Sequence, residues 1–362
     1  MSLTQIRVKN FRNLHESYVE PSPGLNLIFG ANASGKSSFL EAVHVLLCGK
    51  SFRTNKFNHL IHHEADFFRL FGRLLPRDCG DVSETPIGVE RTKTDVKIRL
   101  DGKDIRKISE LVKLTPLICL HPDSHSVISG SPMHRRQFID WGVFHVEHRF
   151  YNIWLRYQKA LKQRNAAIRN GLPERLCRVW DEEICLTGNE VHGFRSEYVD
   201  ALSAVLQRYS QLLFAGQALS LQLKRGWDES TQLKDVLRDS FRQDSIRGAT
   251  QYGPHRAELK IKLDQRDAQI VLSRGQQKSL VALLKTAQAV ICGDKHRNDC
   301  ILLYDDLPAE LDEHNRKILM SILSQLPIQA FVTATDRDTV PLDGWVDRKM
   351  FHVEHGKMVE VV

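Results

Sequence analysis

Hydrophobic positions along this chain change period twice. Near the start Ile6 and Val8 alternate with polar neighbours, the period-2 pattern of a half-buried strand. Lys9-Asn10-Phe11-Arg12-Asn13 follows, and Pro21-Ser22-Pro23-Gly24 breaks the chain before the apolar run Leu25-Asn26-Leu27-Ile28-Phe29. Residues 3–29 therefore predict two strands with a turn between them, the second short and buried. Ser38 to Leu47 reads as a helix closed by Gly49. From 66 to 108 the alternation resumes at Phe68, Leu70 and Gly72, then Ile87 to Arg91 and Val96 to Leu100, with Asp101-Gly102 as a hairpin signal. Thr115 to Leu120 is one more buried strand.

Past 121 the period lengthens. His121 to Pro132 reads as loop, and Met133 to Asn170 as one long helix in which Phe150, Ile153, Trp154, Tyr157 and Leu161 keep helical spacing. Gly171-Leu172-Pro173 turns the chain into a second helical stretch, Glu174 to Phe214, and a third lies at Thr231 to Arg242. Strand patterning returns at Ala257 to Leu263 and Ala268 to Leu272, around the turn Asp264-Gln265-Arg266. A helix follows Ser273, then a buried strand Cys300 to Tyr304, a helix Asn315 to Leu323 and a strand Ala330 to Thr333. The pattern divides the chain into 1–121, a mainly helical insertion 122–247, and 248–362.

At 362 residues the chain is long for one core, which agrees with about two domains. No stretch approaches the roughly 18 apolar residues of a membrane span, and Met1-Ser2-Leu3-Thr4-Gln5 lacks the basic start and apolar run of a signal peptide. Seven cysteines without a C-x-x-C pair read as reduced thiols, so the expected location is cytoplasmic. The formal net charge of +7 permits a nucleic-acid partner without demanding one. Within the insertion, Arg135, Arg136, Arg149, Arg156, Lys159, Lys162, Arg164 and Arg169 stand against only Asp140 and Glu147 in the same segment. Two readings stay open for these bases: a DNA-binding face or a solvated helix face.

The chemistry concentrates in three stretches. Gly30-Ala31-Asn32-Ala33-Ser34-Gly35-Lys36-Ser37 fits G-x-x-x-x-G-K-[ST] and lies between a predicted strand and a predicted helix. Gly30 and Gly35 allow a tight loop whose backbone N–H groups point inward at phosphate. Lys36 is a mobile charge for the β- and γ-phosphates, and Ser37 has a hydroxyl suited to Mg²⁺. Far downstream, Leu272-Ser273-Arg274-Gly275-Gln276-Gln277 runs into an apolar helix, with Ser273 a natural N-cap, and so forms a second anion-binding helix start. The apolar strand Cys300 to Tyr304 then ends in Asp305-Asp306. A carboxylate at that strand end suits Mg²⁺ held through water, and Asp306 sits where a carboxylate orients or deprotonates an attacking water.

In that order, a P-loop, an L-S-x-G-Q signature, an acidic strand end and a D-loop Glu310-Leu311-Asp312 resemble the ABC-type ATPase heads of the SMC class. More specifically the chain is similar to the RecF family of bacterial DNA repair proteins. The stretches that carry this are Val8 to Leu14, Gly30 to Ser38, Arg135 to Gly142, Lys162 to Asn165, Gly253 to Arg256 and Asp305 to Asp312. The resemblance implies an α/β fold: an ABC-type P-loop ATPase head, with a mixed sheet and an antiparallel β meander, carrying a mainly helical second lobe. It implies ATP and Mg²⁺ as cofactors, with Ser37 and Asp305 on the metal and Asp305 and Asp306 catalytic. Nucleotide contacts would come from Arg12 at the base or ribose, and from Gly30, Asn32, Ser34, Gly35, Lys36, Ser37 and Ser38. Ser273, Gly275 and Gln276 of a second chain would close the site, with Asp312 crossing the dimer axis.

The same resemblance implies an ATP-dependent homodimer that clamps DNA at gaps or single-strand/double-strand junctions. With RecO and RecR it would help load recombinase and support SOS induction. Asp306 in place of the usual Glu, no switch histidine in Val332 to Asp336, and no glutamine after Leu120 point to a slow, DNA-stimulated ATPase acting as a switch. Two other readings compete: an ATPase subunit of a transporter, and an SMC-type structural chromosome protein, whose long heptads this chain lacks. The repeated Phe-His-Val-Glu-His at 144–148 and 351–355, and His59, His62 and His63, invite a metal reading that their spacing does not support.

Overall fold

The computed structural model describes residues 1–76, 83–214, 216–296 and 300–361, so the 77–82 part of the expected meander lies outside the described residues. Two compact units form, Met1–Ser124 with Arg274–Val362, and His125–Ser273. The first boundary lies close to the expected one. The second does not: residues 248–273, expected with the C-terminal ATPase half, belong to the helical unit. The cause is a strand, between the expected helices 174–214 and 231–242, that the mainly helical reading of 122–247 passed over. Leu219–Lys224 pairs antiparallel with Glu258–Leu263, from Glu258 opposite Lys224 to Leu263 opposite Leu219, and this ladder holds the later segment to the earlier one.

In the first unit, one sheet is an antiparallel meander in the order Leu14–Val19, Ser2–Phe11, Phe67–Leu75, Thr85–Thr92, Val96–Leu100, Lys103–Asp104. The hairpin partner Leu14–Val19 was not foreseen as a separate strand. Period-2 alternation sends Phe68, Leu70, Ile87, Val89 and Ile98 into one core with the helix Lys36–Cys48, and their neighbours outward. Asp101 and Gly102, at φ 50° and 74°, form the tight turn their sequence signalled.

The other sheet is mixed, ordered Lys357–Val361, Arg348–Glu354, Leu25–Phe29, Ile328–Ala334, Cys300–Tyr304, Leu117–Leu120, with only the first strand antiparallel to its neighbour. All of Cys300–Tyr304 is buried, as the continuous apolar run of a covered parallel strand requires. The helix Lys36–Cys48 ends where Gly49, at φ 66°, donates its N–H to Val45 O at 2.8 Å.

The second unit is built on the helices Pro132–Val146, Phe150–Arg169 and Asp181–Leu213, with a three-stranded sheet. The expected single helix over 133–170 is two. Glu147 leaves the helical region at φ −127°, and its carboxylate accepts the N–H of Arg149 at 2.9 Å, which starts the next helix. Ala268 to Leu272, expected as strand, holds the short helix Ala268–Val271 because Asp267 caps it by accepting the N–H of Gln269. No helix among the described residues is long and apolar enough to cross a membrane.

His255 sits between two partners in this unit: its Nδ1 is 2.6 Å from Tyr157 Oη and its Nε2 is 3.0 Å from Thr250 O. Burial pushes its pKa down to about 4, with Arg256, Arg136 and Arg195 adding to the effect against the Thr250 bond. The unfolded chain binds this proton near pH 6.5 and the folded chain only near 4, so stability is full above about pH 6.5 and is lost as pH falls towards 4. The loss from this group is on the order of 3 kcal/mol. Urea unfolding at about pH 7.5 and about pH 5 is expected to show a lower midpoint at the acid value, and His255→Asn a flatter profile. An unchanged slope in that variant rules out this histidine as the source.

Candidate functional site

The strand Leu25–Phe29, the loop 30–35 and the helix Lys36–Cys48 follow one another as the sequence implied. Gly30 has φ 150°, and a Cβ there would meet Val353 O at 2.3 Å, so only glycine fits this turn. The helix has no side-chain cap and no acid in its first turn. Its first N–H groups have no acceptor within the helix, and they face the loop as an anion cradle. Ser34 Oγ is buried with no hydrogen-bond partner among the described residues, which suits a loop completed by a ligand. Lys36 Nζ donates to Gly30 O at 2.8 Å and Ala31 O at 2.9 Å. Burial lowers its pKa, and the charges of Asp306 and Asp305 oppose that shift.

The order of the mixed sheet puts Ile328–Ala334 between the loop strand and the acid strand. Ser37 Oγ donates to Asp305 Oδ1 at 2.8 Å. Thr333 Oγ1 donates to the same oxygen at 3.0 Å and accepts the N–H of Asp306 at 2.7 Å. One hydroxyl thus fixes both acids. Sequence reading noted hydroxyls here only as the lack of a switch histidine, and the signal it missed was the place of Thr333 near the end of the strand between loop and acid. Asp306 has φ 54°, uncommon for a residue with a Cβ, and the turn re-aims its carboxylate after the strand. The hydroxyl and carboxylate of Ser37 and Asp305 are hard oxygen donors of the kind Mg²⁺ takes alongside phosphate oxygens and water. Among the described residues no group of three or more His, Cys, Asp or Glu gathers as a metal cluster.

Arg12 is held from below. Its Nε and a terminal nitrogen reach the two carboxylate oxygens of Glu41 at 2.9 and 2.8 Å, and Glu41 is fully buried. About a fifth of the Arg12 side chain is exposed (22%), on a cleft of about 860 Å³. Gly30 and Ser34 are not among the walls of this cleft, but Asn32, Ala33 and Gly35 of the loop, with Lys36, Ser37, Ser38, Asp305, Asp306 and Thr333, line it. So do Arg53, His59, His62, His63 and His355, which the sequence gave no nucleotide role. Only their distance along the chain concealed them.

Gly275, Gln276 and Asp312, in the same unit, are not among the walls of the cleft, and Ser273 falls in the other unit. Asp312 is the N-cap of the helix Glu313–Ser324, accepting the N–H of Asn315 at 2.8 Å. Ser273 directly precedes the helix Arg274–His296. Gly275 is exposed, its φ is not in the left-handed region, and a Cβ on it would touch nothing within 4 Å. The two Phe-His-Val-Glu-His copies have unlike settings, the first around the end of a helix and the second at the end of a strand.

The insertion's bases are more committed than their local acid count suggested. Arg135 pairs with Glu258, Arg156 with Glu183 and Arg149 with Glu147. Arg164 is not a surface residue at all, lying fully buried against Asp181 and Asp244. Lys159, Lys162 and Arg169 remain exposed.

Comparison with known proteins identifies the family. The family RecF/RecN/SMC N terminal domain matches residues 2–357. A protein named DNA replication and repair protein RecF from Stutzerimonas stutzeri (strain A1501) is 42% identical over 366 residues, spanning 100% of this chain and 98% of the relative. One of the same name from Cellvibrio japonicus (strain Ueda107) is 41% identical over 365 residues, with 99% of each covered. Among solved structures, the recombination mediator protein RecF-ATP in the RecFOR pathway superposes with TM-score 0.85 at 25% identity, covering 99% of this chain and 97% of that one. An SMC head bound to the C-winged helix domain of ScpA follows at TM-score 0.62 and 17% identity, covering 100% and 98%, a likeness of fold alone.

Proposed function

The chain belongs to the RecF/RecN/SMC N-terminal domain family and, within it, to the RecF proteins; from that premise we propose that it is an ATP-switched DNA-binding protein of replication and recombinational repair. One chain holds half of an ATP site. The uncapped helix start and Lys36 take the phosphates, and Arg12, braced by Glu41, flanks the nucleotide. Ser37 and Asp305 would hold Mg²⁺, which would supply charge neutralisation at the phosphates. Asp306, positioned through Thr333, orients water. Its reach is one methylene shorter than that of a glutamate, which favours slow turnover and a switch rather than a motor.

The observation that carries dimerisation is Gly275. A glycine near a helix start costs about 0.5–1 kcal/mol relative to alanine. Here neither backbone angle nor packing within the chain calls for it. Open space over Gly275 suits close approach by the γ-phosphate held on a second copy. ATP is then the bridge of a homodimer, and hydrolysis removes the bridging group and opens it. The closed dimer binds gapped DNA or single-strand/double-strand junctions, and acts with RecO and RecR in loading recombinase and in SOS induction. Phosphate contacts make such binding independent of sequence and steeply dependent on salt.

Sedimentation with Mg²⁺, with and without ATP and a gapped duplex, tests this. The natural chain is expected to dimerise only with ATP and then to hold DNA. Ser273→Arg is expected to bind ATP within a fewfold of normal and to stay monomeric. A Ser273→Arg chain that still dimerises with ATP removes the bridging role of the signature.

A further inference from the structure

The outer face of the meander has a composition that the ATP site leaves unexplained. Its inner face is apolar and buried, so alternation alone predicts a plain polar exterior. Instead the exterior is aromatic and basic. In one row across the strands, Tyr18 lies opposite Arg7, Arg7 opposite Phe71, Phe71 opposite Gly88, and Gly88 opposite Arg99. The next row carries Lys9, Arg69, Glu90 and Lys97. Tyr18 is 48% exposed and Phe71 half-buried.

Arginines lie against the rings: Arg7 is 5.2 Å from the Tyr18 centroid, Arg73 is 5.9 Å from Phe71, and Arg69 is 5.6 Å from Phe67. Gly88 leaves a dent beside Phe71, with only Leu70 O within 4 Å of where its Cβ would be. The dent is the floor of a groove of about 540 Å³ whose rim includes Arg69, Lys97 and Arg99.

Three acids of this face are already paired with its arginines. Glu90 pairs with Arg69, Glu84 with Arg73 and Asp104 with Arg99, while Glu20 accepts the Tyr18 hydroxyl. Arg7, Lys9 and Lys97 make no ion pair among the described residues and outnumber the two acids left over, Glu16 opposite Lys9 and Glu20, so the remaining charge around the rings is positive. A flat sheet with separated aromatic rings, guanidinium planes and unpaired cations matches the needs of a single nucleic-acid strand. Bases stack on the rings and guanidinium groups, and phosphates meet the free cations. A duplex offers neither splayed bases nor a use for the rings.

We propose that this face is a platform for single-stranded DNA, taking the unpaired strand of a gap or junction. The inference rests on the DNA-binding function proposed above and adds where the single strand lies. It predicts that Phe71→Ala lowers affinity for an oligothymidylate of about 20 nucleotides by about tenfold. Lys97→Glu with Arg99→Glu should lower it at least as much and flatten its salt dependence. Affinity for ATP and for a blunt duplex of equal length should stay within a fewfold, since these residues are not among the walls of the nucleotide cleft.

Fluorescence anisotropy with ATP and Mg²⁺ reads these affinities. Photocrosslinking of a 5-bromodeoxyuridine-substituted single strand to the natural protein, mapped by mass spectrometry, is a readout that needs no variant. Adducts on the peptides holding Tyr18 or Phe71 support the platform. Adducts only elsewhere, or equal losses for single strand and duplex, overturn it while leaving the DNA-binding function standing. A natural protein that binds no DNA in any form with ATP overturns both.

Discussion

Lys36→Ala is expected to lower ATP affinity by roughly 100-fold, with ADP affected less than ATP. Truncating one partner of a buried, hydrogen-bonded charge pair costs about 2–5 kcal/mol, and each 1.4 kcal/mol is about tenfold in affinity. Two features move the estimate to the lower part of that range. Without nucleotide, Lys36 Nζ already bonds the carbonyls of Gly30 and Ala31, so ATP exchanges those bonds rather than adding new ones. The helix start keeps its backbone donors in the variant, and these supply part of the phosphate binding. What disappears is a cation within the field of Asp305 and Asp306. Without it their negative charge repels the phosphates more strongly. Titration calorimetry with ATP and ADP measures the effect. A loss below about threefold for ATP means that the lysine is a brace for the loop and not a phosphate ligand.

Arg164→Met is expected to destabilise the second unit by about 3–5 kcal/mol, the largest stability effect of any single change considered. Its guanidinium donates to Asp181 at 2.7 Å, Asp244 at 2.6 Å and Thr250 at 2.8 Å, and both Arg164 and Asp244 have no exposed side-chain surface. Burial already raises the Asp244 pKa against the pull of Arg164. Without the arginine that carboxyl is uncompensated and takes up a proton. Methionine keeps much of the volume, so the loss reports charge rather than a cavity. At about 2–4 °C per kcal/mol for a unit of this size, the melting transition falls by roughly 6–20 °C. Arg164→Met with Asp244→Asn is expected to recover part of the loss, because the pair together tolerates removal better than either half. A single variant within about 1 kcal/mol of the natural chain shows that the network contributes little.

These two residues also mark the line between what was legible and what was not. Lys36 was readable because its role depends on local geometry: a strand, a glycine loop and a helix start lie within one short stretch. The same holds for Ser37, for Asp305 at the end of an unbroken apolar strand, and for the alternation that foretold the meander. Arg164 was read among the surface bases of the insertion because the segment around it holds few acids. Its partners Asp181, Asp244 and Thr250 come from later turns of the chain, and only folding brings them together.

Sequence alone thus determined the period of most elements, the phosphate loop, the acid pair and the family likeness, all of which rest on backbone preference or on contiguous residues. Tertiary structure decided the rest. It paired Leu219–Lys224 with Glu258–Leu263 and so moved the domain boundary, and it set Thr333 between loop and acids. It also set Arg12 on Glu41 and gathered aromatic and basic residues on one sheet face. The reason is common to all of these. Each depends on which distant segment supplies the partner, and the periodicity of a strand or helix gives the direction of a side chain but not the identity of what it meets.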